Sequence, residues 1–327
     1  MVRKIDWESH IGRRLKLRDL HVFMTIVQRG SMAKAAEHLG VSQPAVSEIL
    51  GDLEHTVGVR LLDRGPRGAQ PTAYGREMLE RSLAAFDELK QGIRTIEFMA
   101  DARVGEIRVG CAESVGSAIL PPIMQRFSQQ YPGMAVEVQQ LVTPTLELPE
   151  LFDRSLDVVL ARVVRPPAEE SEELNIEVLF HDELVIAAGA HGKWADRREI
   201  DLAELVDEPW ILTPSNSWNH KILSEAFQAR GLAMPRACLT TFSLHLRANL
   251  LAMDRFITSF PSSVLRFNAE RFLLKALPVD LPVRPWPIAL VTLKNRTLNP
   301  VVQIFIDHVR AFTRTIQGSL VSKKNSA

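Results

Sequence analysis

Three short helix-periodic stretches between residues 18 and 58, each ended by a glycine, constrain this chain more than any other feature. The first, RDLHVFMTIVQR, places Leu20, Phe23, Met24 and Val27 on one face before Gly30 stops it. Ser31 is placed to cap the second, MAKAAEHL, which ends at Gly40. Ser42 is placed to cap the third, QPAVSEILGDLEHTV, with Pro44 tolerated in the first turn and an end near Gly58. Ala35 and Ala36 are small enough to let two helices approach closely. Leu39, Val41, Val46, Ile49 and Leu53 are expected to fill the core between them. Two extended pieces follow, around Arg60–Leu62 and Ala69–Thr72, with Gly65, Pro66 and Gly68 in the turn between them. The expectation is a compact three-helix unit with a β-hairpin. Periodicity alone leaves open whether it binds DNA or is packed for structure only.

Residues 73–99 read as one long amphipathic helix with a wide apolar stripe of Met78, Leu79, Leu83, Phe86, Leu89, Ile93 and Ile96. Such a stripe either packs on its own domain or pairs with a second copy of the chain. From Gly105 the pattern changes. Strands at 107–111, 135–138 and 157–161 alternate with helices at 117–130 and 146–154, which is the β-α-β-α-β order of a mostly parallel sheet with covering helices. A break rich in Pro and Glu spans 163–173. A second α/β set runs over about 176–278, then a strand at 286–294 and a last helix at 301–313. The polar tail beyond Thr315 is expected to be mobile.

Composition narrows the function classes. The 327 residues are 46% apolar and 24% charged, ordinary for a globular protein of two or three domains. Net charge is zero, but residues 1–76 carry 12 Lys/Arg against 8 Asp/Glu, a modest local excess of four. No apolar run reaches the length of a membrane span and no secretory segment opens the chain, so a cytoplasmic location away from the membrane is expected. Cys111 and Cys238 are too far apart to read as a metal-ligand pair, and are expected as free thiols. No P-loop, GxSxG, HExxH or Cys/His metal spacing occurs, so neither an enzyme nor a metal site is expected. His181-Asp182-Glu183 looks reactive but has no second His at ligand spacing, and is read as a polar turn. Without export, the sequon at Asn295-Arg296-Thr297 has no role.

The wording of residues 30–76 carries more than their periodicity. Gly30-Ser31-Met32-Ala33-Lys34-Ala35-Ala36, Val41-Ser42-Gln43-Pro44-Ala45-Val46-Ser47, Leu53-Glu54, Gly58 to Arg64 and Pro71-Thr72-Ala73-Tyr74-Gly75 resemble the DNA-binding domain of LysR-type transcriptional regulators. The rest of the chain follows that family's layout by element order rather than by motif. Leu62 departs from the family's usual Phe, and Pro71 from its usual Leu.

The resemblance implies an α/β chain in several parts. A winged helix-turn-helix occupies 18–75 behind an extension at 1–17, and a linker helix covers 76–100. A two-lobed effector domain, Rossmann-like and similar to periplasmic binding proteins, spans 104–315. Its first lobe covers about 104–164 and 280–315, its second about 174–279, and a tail closes the chain at 316–327. The extension, with Arg3, Lys4, Arg13, Arg14 and Lys16, is read as a solvated tail in preference to a phosphate contact. The implied partners are double-stranded promoter DNA, a small-molecule effector, RNA polymerase if the protein activates, and further copies in a homodimer or homotetramer. A solute-binding protein for transport, which the lobes also resemble, is disfavoured by the pattern at 30–76.

A helix in the major groove presents polar side chains of its N-terminal turns to base edges. Here those are Gln43, Pro44, Ser47 and Glu48. Gln43 suits adenine and Pro44 a thymine methyl; Ser47 is undiscriminating. Glu48 either accepts from cytosine or faces water. Ser31, Lys34, Arg64 and Arg67 suit phosphates, and Ser31 and Ser42 remain helix caps whether or not they touch DNA. Between the lobes, Glu113–Ser117 and Thr213–Ser217 each follow an apolar strand and offer hydroxyls and free N–H groups to a polar or anionic ligand. The candidates are Ser114, Ser117, Thr213 and Ser215, joined through the resemblance by Thr143, Arg162, Phe242, Ser243, His245 and Pro261. Arg162 is alternatively a partner for Asp157 or for a glutamate of 163–173. The effector is expected to be an organic acid or a sugar derivative, with no other cofactor.

Overall fold

The computed structural model describes residues 14–65, 68–141, 148–163 and 173–324; the side chains of Arg64 and of 317–324 are outside the description. The chain divides into two compact units, residues 1–93 and 94–327.

In the first unit, helices α1 (Leu17–Arg29), α2 (Met32–Leu39) and α3 (Gln43–Val57) are followed by strands β1 (Leu62–Gly65) and β2 (Gly68–Pro71). Gly30, Gly40 and Gly58 sit in the left-handed conformation that ends each helix. Phe23, Ile26, Ala35, Val46, Leu50 and Leu53 form the buried centre. Val41, expected there, is 45% exposed. It lies in the turn, and Leu50, one helical turn beyond Val46, occupies the interior in its place. The hairpin is antiparallel with Gly65 opposite Gly68, two residues later than expected for its first strand. It lies against the end of α1: Ala69 N–H donates to the Gly30 carbonyl at 2.9 Å, and a Cβ on Gly68 would run into that same oxygen.

Helix α4 (Ala73–Ala100) begins at Thr72, whose hydroxyl accepts from Gly75 N–H at 3.0 Å and donates to the Arg60 carbonyl at 2.9 Å. Its apolar stripe splits in two. Met78, Leu79 and Phe86 pack on the first unit's core, whereas Leu89, Ile93, Ile96 and Met99 are exposed, the last two by 66% and 80%.

The second unit holds two sheets, each with five described strands. The first has the order β4 (Gly133–Gln140), β3 (Val104–Cys111), β5 (Val158–Arg162), β12 (Trp286–Leu293) and β6 (Leu174–Asp182). Strands β3, β4 and β5 are parallel, and β12 runs antiparallel to both β5 and β6. Expected in the second lobe, β6 instead pairs with β12 along its whole length. A strand's alternation does not reveal which sheet it joins, so the lobe boundary read at 174 falls at 183. The second sheet has the order β11 (Leu274–Ala276), β7 (Leu184–Gly189), β10 (Ile257–Pro261), β8 (Trp210–Leu212) and β9 (Ala237–Thr240). The chain therefore crosses between lobes twice, after Asp182 and before Trp286.

Helices cover both sheets: α5 (Glu113–Gln130), a short α6 (Pro149–Phe152), α7 (Trp218–Ala229), α8 (Leu244–Leu251), α9 (Ser262–Phe272) and α10 (Pro300–Lys324). Three boundaries differ from expectation. Helix α5 starts at Glu113 rather than Ser117, so Glu113–Ser117 is a first helical turn and not a loop. A Cβ on Gly116 would press on the Cys111 sulfur, so its smallness serves helix-on-strand packing. Of the helix expected at 146–154, the described residues are helical over 149–152. The polar tail is helical to Lys324, with Ile316 buried, because polarity without a proline does not stop a helix.

Candidate DNA and effector sites

The N-terminal turn of α3 combines a buried face with an exposed one. Val46, Leu50 and Leu53 point inward, whereas Ser42, Gln43, Pro44 and Glu48 are exposed and Ser47 is half-buried. Ser42 accepts from Ala45 N–H at 3.4 Å and Ser31 from Lys34 N–H at 3.2 Å, so both serines cap their helices. Lys34 is exposed at the start of α2. The side chain of Arg64 and all of Arg67 lie outside the described residues. One residue without an expected role ties this unit together. The Glu54 carboxylate accepts from Leu61 N–H at 2.7 Å and Leu62 N–H at 3.2 Å, fastening α3 to the first strand of the wing. Nothing in a spacing of seven residues signals that contact.

In the second unit, Asp157 is fully buried beneath β3. It accepts from the Arg108 backbone N–H at 3.0 Å, from Arg108 Nε and Nη2 at 3.2 and 2.8 Å, and from Arg296 Nη2 at 2.9 Å. Arg94 stands at ion-pair range, 3.7 Å. Arg162 is therefore not the partner of Asp157. Its Nη1 donates to Asn219 Oδ1 at 3.0 Å, and its guanidinium lies 4.8 Å from the centre of the Trp286 ring. Burial pushes Arg162 down to about 10, opposed by the field of Asp182. The triplet read as a polar turn is a structural knot: buried Asp182 accepts from Ser262 Oγ at 2.8 Å and from Ser263 N–H and Oγ at 3.1 and 2.6 Å.

Polar contacts join the lobes at their facing edges. Besides Arg162–Asn219, the Glu113 carboxylate accepts from Leu244 N–H at 3.2 Å, at the N-terminus of α8, where the helix dipole favours an anion. Asn268 Nδ2 donates to the Ser117 carbonyl at 3.2 Å. One helical turn on from Leu244, Arg247 is buried against Phe260 and donates to the Ser259 carbonyl at 3.0 Å; burial lowers it to about 10, with Glu113 opposing.

Several expected residues lie on the elements that these contacts join. Ser114 and Ser117 are half-buried in the first turns of α5, beside Glu113, and Ser117 Oγ donates to the Ser114 carbonyl at 3.3 Å. Thr213 is buried and its hydroxyl accepts from Ser217 Oγ at 2.7 Å, just ahead of the helix that carries Asn219. Ser243 caps α8, accepting from Leu246 N–H, and Phe242 is exposed. His245 is exposed with its ring 6.1 Å from that of Phe272. Ser215 is exposed in a groove along α7. Pro261 is buried within its sheet opposite Leu184. Thr143 lies outside the described residues. Glu113, Asn219, Trp286 and Arg247 were not among the expected site residues, since each acquires its partner across the fold.

Comparison with known proteins agrees with this division. The family model of the bacterial regulatory helix-turn-helix protein, lysR family, matches residues 17–76, and that of the LysR substrate binding domain matches 100–314. An uncharacterized HTH-type transcriptional regulator YdcI of Escherichia coli K12 is 27% identical, over 94% of this chain and 98% of its own length. The regulator TdcA of the same organism is 26% identical, over 91% and 93%. Among solved structures, a full-length OxyR variant from Pseudomonas aeruginosa shares the fold with a TM-score of 0.62, at 19% identity over 90% of this chain and 98% of that one. CbnR, a LysR family transcriptional regulator, gives 0.57 at 21% identity over 91% and 99%. With both halves matched in order across most of its length, this chain belongs to the LysR family of DNA-binding transcriptional regulators, with a helix-turn-helix domain followed by a substrate-binding domain.

Proposed function

We propose that α3 enters the major groove of promoter DNA with Gln43, Pro44 and Ser47 against base edges, while Ser31, Lys34, Arg64 and Arg67 hold phosphates. The observation that carries this reading is the N-terminal part of α3, which is capped through Ser42 and leaves Gln43, Pro44 and Glu48 exposed. Glu48 is exposed and suits a cytosine amino group. A gel shift with DNA from upstream of the protein's own gene tests it. Retardation of that DNA over unrelated DNA is expected, and equal retardation of both would overturn sequence-specific reading.

The second unit senses a small polar molecule at the crevice between its lobes, gripped by Ser114 and Ser117 from one side and Thr213 from the other. The effector is the only small molecule the protein needs; it does no chemistry on it, and it works in the cytoplasm. Among the described residues, no helix is long and apolar enough to cross a membrane.

The protein acts as a homodimer or homotetramer, which places two recognition helices at a fixed half-site spacing, and contacts RNA polymerase where it activates. Leu89, Ile93, Ile96 and Met99 supply the seam, since their exposure leaves an apolar helix face uncovered. Light scattering is the check. Leu89→Glu with Ile93→Glu is expected to give monomers at concentrations where the parent is oligomeric, because carboxylates do not fit an apolar seam. Phe86 is unsuited to this test because it packs on the first unit's own core.

A further inference from the structure

The arginines of the first lobe differ in what their guanidinium edges hold. Arg108 uses the Nε–Nη2 edge as a fork on the Asp157 carboxylate, at 3.2 and 2.8 Å. Arg103 holds Asp101 with the same edge, at 2.9 and 3.0 Å. Arg162 spends its opposite corner, Nη1, on Asn219. Its Nε is buried and has no hydrogen-bond partner among the described residues.

The ring beneath it is short of the same thing: Trp286, on which Arg162 lies, is buried, and its indole N–H has no partner among the described residues. Guanidinium and indole N–H groups only donate. Two buried donors, Arg162 Nε and the Trp286 indole N–H, therefore lack acceptors at this stack, while Asn219 Oδ1 accepts from Arg162 Nη1. No carboxylate stands within ion-pair distance of Arg162 among the described residues, although Asp182 is close enough to act on it through space. A sugar hydroxyl meets a shortage of acceptors but leaves the cation uncompensated. A carboxylate meets both, and its planar pair of oxygens matches the guanidinium fork.

We propose that the effector is an organic acid whose carboxylate binds the Nε–Nη2 edge of Arg162 above Trp286, at the interlobe crevice. This rests on the reading of that crevice as the sensor site and narrows its ligand class to an acid over a neutral sugar. Because Asn219 belongs to the second lobe, the carboxylate would complete a cluster that both lobes share.

The test uses the full-length protein at pH 7.5 and constant ionic strength. The probes are acetate, succinate and benzoate, their neutral amides, sulfate, and glucose. Readouts are melting temperature and tryptophan emission, which Trp286 makes sensitive to the site. At least one acid is expected to bind saturably where its amide does not. Arg162→Gln is expected to weaken that acid roughly tenfold or more, the loss of one charge-assisted pair. Arg162→Lys, which keeps the charge and loses the fork, should fall between and serves if the glutamine variant melts early. The proposal is overturned if no acid binds, if acid and amide bind alike, if sulfate binds as well as the acids, or if Arg162→Gln binds the acid unchanged. Glucose binding that Thr213→Ala abolishes would overturn the acid assignment and leave the sensor reading standing. Acid binding that needs Arg162 but leaves the DNA footprint unaltered would do the reverse.

Discussion

The turn proposed to read DNA and the crevice proposed to hold the effector are both built from short polar side chains at helix N-termini, yet they are assembled in opposite ways. At α2 and α3 each cap is local: Ser31 to Lys34 and Ser42 to Ala45, three residues apart, with the reading face left outward. In the crevice the decisive bonds span the chain: Arg162 to Asn219 over 57 residues, Glu113 to Leu244 over 131 and Ser117 to Asn268 over 151. A surface that waits for a rigid partner works with local order. A crevice whose two walls must register a ligand works through contacts that join those walls, and a ligand shifts the arrangement only as far as it prefers one state of them.

The largest test of that contrast is Asp157→Ala. It would strip a buried carboxylate from Arg108 and Arg296 and leave their charges uncompensated, at a cost of about 3–5 kcal/mol. Chemical denaturation followed by near-ultraviolet dichroism should show the loss in the second unit, which holds Trp194, Trp210, Trp218 and Trp286. A stability unchanged from the parent would mean that this long-range polar knot does not hold the first lobe's geometry.

The same contrast explains what was legible in the sequence. The first three helices end at glycines, and two of them begin at serines, within a few residues of one another, so their limits could be read from the chain. Even there Glu54 escaped notice, because the N–H groups it accepts from arrive by a turn of the chain. In the second unit β3, β4 and β5 were readable as apolar runs, but the membership of β6 in the first sheet depends on β12, more than a hundred residues later. Ser114, Thr213 and Arg162 could be singled out from the sequence as candidates by residue type and place. Asn219, Trp286 and Glu113 could not, since an asparagine in a helix or a tryptophan in a strand announces no partner.

The next test, smaller in effect, is Gln43→Ala with Ser47→Ala. If the reading face is as local as it looks, the pair should lose roughly 1–3 kcal/mol of operator affinity with little change in non-specific binding. Arg64→Ala should instead weaken all sequences alike and flatten the salt dependence. Footprints at full strength from the double variant would mean that specificity lies elsewhere and that the two regions do not differ as described.

Ser31 offers the smallest and sharpest test, because its cap and its proposed phosphate contact respond differently to charge. Removing the hydroxyl in Ser31→Ala deprives Lys34 N–H of its acceptor and should cost the first unit about 1 kcal/mol. Ser31→Asp restores an acceptor and sets a negative charge at the positive end of α2, so stability should return. DNA affinity separates the roles. If Ser31 only caps, the aspartate variant binds DNA like the parent. If its hydroxyl also meets a phosphate, the aspartate repels that phosphate, and binding stays weak in a protein whose melting temperature has recovered. The second outcome is the one expected, and its signature is stability and affinity moving apart on replacement of a single side chain.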